Sequence, residues 1–331
     1  MMHEEEAIEA ESADSFDGDS AYAGSSGGSL TETLASEIAR GVEENGRTYA
    51  AYGKEEYGLP IDEEELDRID MSHAKYVMLM EKKLFLAPIT EQPQKILDLG
   101  TGTGIWAIDI ANLYPSADVL GLDIAGTQPE WVPPNCRFQV IDIEDPVWTL
   151  QKDSYDFIHA RDLLLAIRDW PRLVKQSFDH IKPGGYFELQ CIFPRLCCDD
   201  ETLDLKNQLL EFTKKALNAS AKMGISLDAC TQYAKYMRDV GFEDIVERRY
   251  KMPSSPWPKD KRMKLIGAFE MHNLLGGLSA MSLWMFSRAL GMTQIDIENF
   301  LVDVKRDTKN LKCGLYSLFP TLYRGKTTDR H

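Results

Sequence analysis

A glycine-rich turn follows the first apolar run that has the composition of a buried strand. Asp98 precedes Gly100, Gly102 and Gly104, and an apolar stretch begins at Ile105. Glycine adopts positive φ and has no Cβ, so this turn can bring backbone N–H groups close to a ligand at the N-terminus of the following helix. The carboxylate of Asp98, at the carboxyl end of the strand, can attract an amino group of the same ligand. The sequence therefore predicts a ligand-binding turn at this point.

Two further carboxylates end the next two predicted strands. Asp123 lies nineteen residues beyond Gly104, where a carboxylate can accept hydrogen bonds from both hydroxyls of a ribose. Asp142 ends the third strand and can accept a hydrogen bond from an exocyclic adenine amine, while the backbone N–H of Ile143 donates to the adenine ring. Together with Asp98, these acids predict a cofactor that contains adenosine and an amino group.

A nicotinamide dinucleotide is the alternative, because Gly102, Gly104 and Ala107 also fit the dinucleotide fingerprint and Asp123 lies at a tolerable distance from them. Two features favour S-adenosylmethionine instead. An acid stands two positions before the first of three alternate glycines, and a Lys-Pro-Gly-Gly-Tyr turn at 182–186 leads into the fifth predicted strand. With the long terminal segment that ends in a strand, this combination resembles the class I methyltransferases, whose sheet characteristically ends with a reversed strand.

Short apolar runs alternate with helical stretches from Lys95 onward, which is typical of a parallel sheet covered on both faces. Five runs predict strands at 95–99, 118–122, 137–141, 155–159 and 186–191. Two more β-rich runs lie at 242–250 and 316–323, with a methionine-rich helical pattern between them. We therefore predict an α/β fold of the Rossmann-like class, with a seven-stranded, mostly parallel sheet. A helical insertion at about 258–312, before the last strand, is a candidate substrate lid.

The chain ahead of the sheet has a different character. Residues 1–29 are rich in Glu, Asp, Ser, Gly and Ala, so they bury too little apolar surface to offset their ordering entropy, and they predict a disordered acidic tail. Apolar residues at helical spacing over 30–42 predict a short helix that stops near the Asn-Gly pair at 45–46. Asp62 with Glu65 resembles a capping box, which predicts that a second helix begins there.

Six stretches of the chain carry a closer resemblance. They lie at 45–49, 97–107, 128–135, 169–171, 256–260 and 323–326. On these stretches the chain resembles the fungal LaeA-like methyltransferases, which are associated with control of secondary metabolism and with tailoring of metabolites. The resemblance covers roughly residues 45–326. It implies a class I fold, S-adenosylmethionine as cofactor, and a binding site that includes the three carboxylates, Gly100 and Gly102.

The resemblance leaves two functions open. One is a methyltransferase of secondary metabolism that acts on a small metabolite, as a tailoring enzyme, or on a protein. The other is a regulatory protein that controls secondary-metabolite gene expression through a nuclear complex. The predicted domain organisation is a disordered tail at 1–29, a helical lid or cap at 30–92, a methyltransferase domain at 93–326 and a C-terminal tail at 327–331.

Candidate catalytic residues follow from the chemistry of methyl transfer. The reaction is an in-line displacement, so the protein chiefly aligns an acceptor lone pair and excludes water, and no metal is required. For a hydroxyl or amine acceptor, His159 at the end of the fourth strand is the best-placed base, and Arg161 can orient an anionic acceptor group or the cofactor carboxylate. The alternative is a packed histidine and a structural salt bridge. Tyr49 and Tyr52 are candidates for a lid, or they pack on the sheet.

Composition excludes several classes of partner. Acidic residues number 53 against 37 basic ones, for a formal net charge of −16, and residues 1–50 contribute −10 through twelve acids and two arginines. This acidic body predicts no direct binding of nucleic acid and favours small molecules or proteins as partners. The six cysteines form no CxxC pair, which predicts neither zinc nor disulfides. The acidic N-terminus and the absence of a long apolar span predict an intracellular protein, cytoplasmic or nuclear, without a membrane segment.

Overall fold

The protein is described by a computed structural model that covers residues 41–44, 46–53, 57–199, 202 and 204–327. The tail predicted at 1–29, most of the helix predicted at 30–42 and nearly all of the C-terminal tail at 327–331 lie outside the described residues. In chain order, the strands and helices are β1 (Val42–Glu44), β2 (Arg47–Tyr49), α1 (Glu63–Leu79), β3 (Lys95–Leu99), α2 (Ile105–Leu113), β4 (Asp118–Asp123), β5 (Cys136–Val140), β6 (Tyr155–Arg161), α3 (Trp170–His180), β7 (Ile181–Gln190), β8 (Phe193–Cys197), α4 (Gln208–Lys222), α5 (Tyr233–Asp239), β9 (Val246–Pro253), α6 (Lys261–Leu290), α7 (Gln294–Thr308) and β10 (Tyr316–Gly325).

The main sheet is mostly parallel and ends with a reversed strand. Its order is β5-β4-β3-β6-β7-β10-β9, in which the first five strands are parallel and β10 is antiparallel to both β7 and β9. This confirms the predicted α/β fold. The short strand β8 was not predicted. At its first residue it continues the pairing of β7 with β10 in the same register, because Gln190 of β7 lies opposite Thr321 and Phe193 of β8 lies opposite Leu318. Thus β8 prolongs β7 past a short break and adds no further position across the sheet.

Both faces of the sheet are covered because alternate residues of the parallel strands are apolar. Leu97 and Leu122 pack in one core with residues of the helices on their side of the sheet. Ile96 and Val119 point to the other face, where they pack with Trp106 of α2. Side chains of a strand alternate between faces, so a run that is buried on both faces must be apolar throughout. This two-sided burial fixes β3, β4 and β6, whose carboxyl ends meet at one edge.

The helix predicted over 30–42 is wrong at its end, where Val42–Glu44 forms a hairpin with Arg47–Tyr49. Gly46 has a φ of +75°, so the glycine makes the tight turn of a hairpin where we had predicted the end of a helix. Long-range contacts stabilise this arrangement. The Arg47 guanidinium donates to both carboxylate oxygens of Asp62 at 2.6 and 2.7 Å, and Asp62 caps α1 by accepting from the backbone N–H of Glu65 at 3.2 Å. The hairpin is therefore tied to the first turn of α1.

The predicted insertion before the last strand consists of α6 and α7. Helix α6 begins where Asp260 accepts from the backbone N–H of Met263 at 2.8 Å, and it ends at Gly291, whose φ is +65°. It packs against α1, α4 and α7. The apolar part of the chain around 274–290 lies within this helix. In the described ranges, none of the helices has the length and apolar character needed to cross a membrane.

The close contact between α6 and the end of β9 yields a first prediction. A Cβ on Gly267 would lie 2.2 Å from the carbonyl oxygen of Ser255, whereas a Cβ on Gly276 of the same helix would meet Arg68 at an ordinary 3.6 Å. We expect Gly267→Ala to lower the free energy of unfolding by about 1–3 kcal/mol through overpacking. Gly276→Ala should raise it by up to about 1 kcal/mol, because alanine loses less entropy in a helix. Urea unfolding of both variants checks this, and equal effects would contradict the contact.

Candidate functional site

The glycine-rich turn joins β3 to α2 in a left-handed conformation. Gly100, Gly102 and Gly104 have φ of +65°, +58° and +80°. A Cβ on Gly100 would lie 2.3 Å from Leu163, and one on Gly104 would lie 2.4 Å from Phe138, so both positions are packed. Among the described residues, a Cβ on Gly102 would meet only Ile69 at 3.7 Å, so there is open space beside the turn at this position. Gly100 and Gly102 line the main cavity, whereas Gly104, which we had predicted to contact the cofactor, does not line it.

The three predicted carboxylates meet at the carboxyl edge of the sheet and line the same cavity. Asp98 accepts from the hydroxyl of Thr101 at 2.6 Å. Asp123 accepts from the backbone N–H groups of Gly102 at 2.7 Å and Ala125 at 3.0 Å. Burial raises the pKa of Asp123 to about 6 in spite of these hydrogen bonds. A buried carboxylate at a cavity wall is stabilised by further donors, which the two hydroxyls of a ribose would supply.

Asp142 and Ile143 form the next part of the wall. The carboxylate of Asp142 accepts from the backbone N–H of Glu144 at 2.9 Å, which holds the turn after β5. Ile143 is 6% exposed and lines the cavity beside Asp142. This places an apolar side chain and a carboxylate where an adenine ring would lie if Asp123 held the adjoining ribose. We call the wall formed by Asp98, Gly102, Asp123, Asp142 and Ile143 the cofactor crevice.

The cavity continues beyond the cofactor crevice into an apolar space. The whole cavity, with the cofactor crevice included, has a volume of about 350 Å³. This falls in the range of roughly 300–1,000 Å³ that is typical of small-molecule sites. The apolar part lies between β8, α4 and α6. We call it the apolar chamber, and its walls are Leu196, Leu209, Phe212, Ala216, Leu274, Leu278 and Met281. Helix α4 was not predicted from the sequence, and the insertion contributes the opposite wall through α6.

His159 lies at the crevice but is almost enclosed, with an exposure of 1%. Its Nδ1 lies 2.8 Å from Asp98 Oδ1, and its ring stacks on Trp106 with centroids 3.8 Å apart. Since a carboxylate only accepts, Nδ1 carries the proton and Nε2 is left as a lone pair. Burial lowers the pKa of His159, against the raising effect of Asp98, so the neutral ring is favoured.

Arg161, two residues further along β6, lines the cavity with one nitrogen available. Its Nη2 donates to Nδ1 of His73 at 3.0 Å, and His73 Nε2 lies 3.0 Å from Asp109. The guanidinium also lies 5.0 Å from the ring centre of Tyr76. Within the described residues, Nη1 of Arg161 is buried and has no hydrogen-bond partner. Because an unpaired buried donor is costly, this atom is suited to an anionic group of a ligand.

The predicted lid residues do not reach the cavity. Tyr49 pairs within the hairpin and Tyr52 is exposed, and neither lines the cavity. Tyr57, which precedes α1, does line it, and burial raises its pKa. Sequence reasoning also missed Arg68 and Tyr76, which line the cavity from α1. Their spacing of eight residues places them about 80° apart around the helix, within one broad helical stripe, and this spacing can be read from the sequence.

The cavity as a whole fits S-adenosylmethionine. The open backbone at Gly102 leaves room beside the turn, and the crevice offers carboxylates to an amino group, a ribose and an adenine amine. The unpartnered Nη1 of Arg161 lies on the same strand and face as His159, which contacts Asp98. Asp98 on β3 and Arg161 on the neighbouring β6 carry opposite charges, which suit the ammonium and carboxylate groups of an amino acid.

Comparisons with known proteins point in the same direction. A family model described as a methyltransferase domain matches residues 71–247. The chain is 35% identical to methyltransferase pytC of Aspergillus terreus over 87% of this chain and 88% of that protein. It is 35% identical to secondary metabolism regulator LAE1 of Cochliobolus heterostrophus, with coverages of 83% and 91%. It is 34% identical to protein-methionine methyltransferase laeA of Emericella nidulans, with coverages of 83% and 74%.

Proposed function

Because this chain belongs to the fungal LaeA-like methyltransferase family, whose cofactor is S-adenosylmethionine, we propose that it methylates a small acceptor molecule with a largely apolar skeleton. Family membership also argues against a nicotinamide dinucleotide as the cofactor. When bound, S-adenosylmethionine supplies an electrophilic methyl carbon on a positively charged sulfur. The remaining tasks, which are binding, orientation and exclusion of water, belong to the residues of this chain.

Each part of the cofactor crevice has its own role in binding. Asp123 accepts from the ribose hydroxyls, while Asp142 and Ile143 hold the adenine. Asp98 attracts the ammonium group, and His159, hydrogen-bonded to Asp98 at 2.8 Å, fixes that carboxylate. The free donor of Arg161 binds the carboxylate at the same end. A cofactor held by these residues would have its methyl group available to a molecule in the apolar chamber, because the chamber and the crevice belong to one cavity.

One observation carries the choice of acceptor: the apolar chamber opens directly from the cofactor crevice. Phe212, Leu278 and Met281 line this space. An apolar skeleton that binds there is stabilised because its surface is removed from water. Methionine is a flexible gap-filler that adapts to ligands of different outline. A concave chamber with apolar walls suits a small molecule better than a folded protein surface.

A second candidate is a regulator that methylates protein and acts through a nuclear complex. The names of the relatives from Cochliobolus heterostrophus and Emericella nidulans favour it, since they are a secondary metabolism regulator and a protein-methionine methyltransferase. A methionine side chain is itself apolar and narrow enough to enter the chamber. For either candidate we propose an intracellular location, in cytosol or nucleus, in line with six cysteines that form no disulfide in the described structure.

The test measures transfer of a tritium-labelled methyl group to a naphthol, a naphthylmethylamine, naphthyl methyl sulfide and a blocked methionine peptide. We expect transfer to the small naphthyl probes, and we expect Met281→Trp to reduce it at least about tenfold because the indole fills the chamber. S-adenosylhomocysteine binding should not change in this variant. Lys264→Trp, on an exposed part of the same helix, is the matched control. Transfer confined to the peptide would instead support the second candidate.

A further inference from the structure

Asp162, directly after β6, has a strained backbone at the cavity wall. Its φ is +56°, and of the five non-glycine residues with positive φ in the described chain it is the one that lines the cavity. A non-glycine residue in this conformation costs of order 1–3 kcal/mol and persists where the surroundings hold it, often at a functional site. Asp162 is also exposed, although its neighbours Leu163 and Leu164 are buried.

Three contacts hold the strained residue in place. Its backbone N–H donates to the carbonyl of Gln190 at 3.0 Å. Its Oδ1 accepts from the backbone N–H of Ile192 at 3.1 Å, and its Oδ2 accepts from the hydroxyl of Tyr76. Tyr76 is itself fixed by stacking on Phe319, with ring centroids 4.7 Å apart. The carboxylate is therefore aimed by contacts from α1 and from the break between β7 and β8.

The position of Asp162 is the junction of the two parts of the cavity. Arg161 precedes it on the crevice side, and Leu163 follows it and packs against Gly100 of the cofactor turn. Ile192, which donates to its carboxylate, lines the cavity at the start of β8, where the apolar chamber begins. An acceptor held in the chamber would meet the methyl carbon at this junction.

His159, by contrast, is badly placed to touch an acceptor. Its Nδ1 is engaged by Asp98, one face of its ring is covered by Trp106, and only 1% of the residue is exposed. These contacts suit a positioning residue for the cofactor-binding carboxylate. A base must come within hydrogen-bond reach of the proton that it removes, and Asp162, exposed at the cavity wall, is accessible to a molecule in the cavity.

We propose that Asp162 is the catalytic base, and that the acceptor is therefore an apolar small molecule with a hydroxyl or amine group. This inference rests on the proposed function. Asp162 takes the proton from the acceptor as the lone pair of the acceptor oxygen or nitrogen forms the new bond to carbon. The electron pair of the broken carbon–sulfur bond stays on sulfur. A carboxylate, a hydroxyl and a sulfonium thus become a carboxylic acid, a methyl ether and a thioether. A thioether acceptor has no proton to lose and would not need this residue.

The test compares Asp162→Asn with the wild type. Asparagine tolerates positive φ and can still accept from Ile192, so the fold and binding of S-adenosylhomocysteine should be unchanged. We expect kcat for the naphthol to fall by about 10²–10⁴-fold. The remaining rate should rise about tenfold per pH unit below the pKa of the naphthol, because only naphtholate then reacts. Asp244→Asn, at another positive-φ aspartate on the exposed surface, is the matched control and should leave kcat unchanged.

Several groups around Asp162 must be considered in that pH profile. The titratable or charged side chains near it, or in contact with its neighbours, are Tyr57, His73, Lys75, Tyr76, Arg161, Cys191, Tyr233 and Glu270. Burial raises the pKa of the tyrosines and of Cys191, so these groups stay neutral near neutral pH. The other groups are the same in both proteins. The difference between wild type and Asp162→Asn therefore reports on Asp162 itself.

Each outcome decides the inference. A kcat in Asp162→Asn within about twofold of the wild type would overturn it, as would a large loss in His159→Asn with unchanged S-adenosylhomocysteine binding. Wild-type protein that binds S-adenosylhomocysteine but methylates only naphthyl methyl sulfide or the peptide would overturn the acceptor class. Wild-type protein that binds no S-adenosylhomocysteine would refute the proposed function instead, so the two failures are distinguishable.

Discussion

Asp123→Ala is expected to weaken binding of S-adenosylhomocysteine by at least about 100-fold. The carboxylate lies at the cavity wall and already holds the backbone N–H groups of Gly102 and Ala125. Hydrogen bonds to a charged group contribute about 1.5–3 kcal/mol each, so loss of two to the ribose removes about 3 kcal/mol or more. Each 1.4 kcal/mol is about tenfold in affinity. Isothermal titration calorimetry measures the change directly.

The control lies at the opposite end of the same strand. Asp118 pairs with Arg137 on the surface, so Asp118→Ala should leave the affinity unchanged. The pH dependence gives a second check. Burial raises the pKa of Asp123 from 3.8 to about 6, so the unliganded protein loses stability as pH rises between these values. Affinity should rise over the same interval, because only the ionised carboxylate accepts from both hydroxyls, and it should level off above about pH 7. A pH-independent affinity would contradict the assignment.

The cofactor crevice was predictable because its signals are local. An acid at the end of an apolar run, followed by glycines, fixes a turn and its direction within a few residues, and Asp98, Gly102 and Asp123 all line the cavity as expected. The fold followed from the same runs, since a strand that is apolar throughout requires cover on both faces. Each of these inferences needs only the neighbours along the chain.

The missed features depend on contacts between distant parts of the chain. The hairpin at 42–49 forms where the pattern favours a helix, and Arg47 reaches Asp62 across the intervening loop. The strained backbone of Asp162 depends on Tyr76 and on Ile192. Local propensity is a weak prior that tertiary contacts override, and no short pattern specifies which distant residue will meet which.

Glu188 makes another long-range contact that could not be predicted from the sequence, although its strand was predicted. This residue of β7 is completely buried. Its carboxylate accepts from the backbone N–H groups of Leu86 at 2.9 Å and Ala87 at 2.6 Å, and burial raises its pKa to about 7. It thus holds the loop between α1 and β3 against the sheet. The sequence contains the acid but gives no sign of the backbone that it binds.

Lys75→Met is expected to lower the free energy of unfolding by about 3–5 kcal/mol, the range for breaking a buried ion pair. Lys75 on α1 lies 2.5 Å from Glu270 on α6, and their side chains are 0% and 3% exposed. Loss of the lysine leaves a buried carboxylate that, in the described part of the chain, still accepts from the side-chain amide of Asn273. Urea unfolding of Lys75→Met measures the cost. Lys175→Met, which breaks an exposed pair with Asp179, is the control and should cost less than about 1 kcal/mol.

The double variant Lys75→Met with Glu270→Leu shows whether the lost stability comes from the unpaired charge or from lost packing. Two apolar side chains of similar volume remove both charges together, so the double variant should be close to the wild type in stability, within about 1 kcal/mol. If Glu270→Leu fails to rescue Lys75→Met, the cost comes from packing rather than from an unpaired charge. Rescue would show that the cost of Lys75→Met lies in the unpaired charge of Glu270, so that the contact between α1 and α6 depends on pairing of the two charges or on their joint removal.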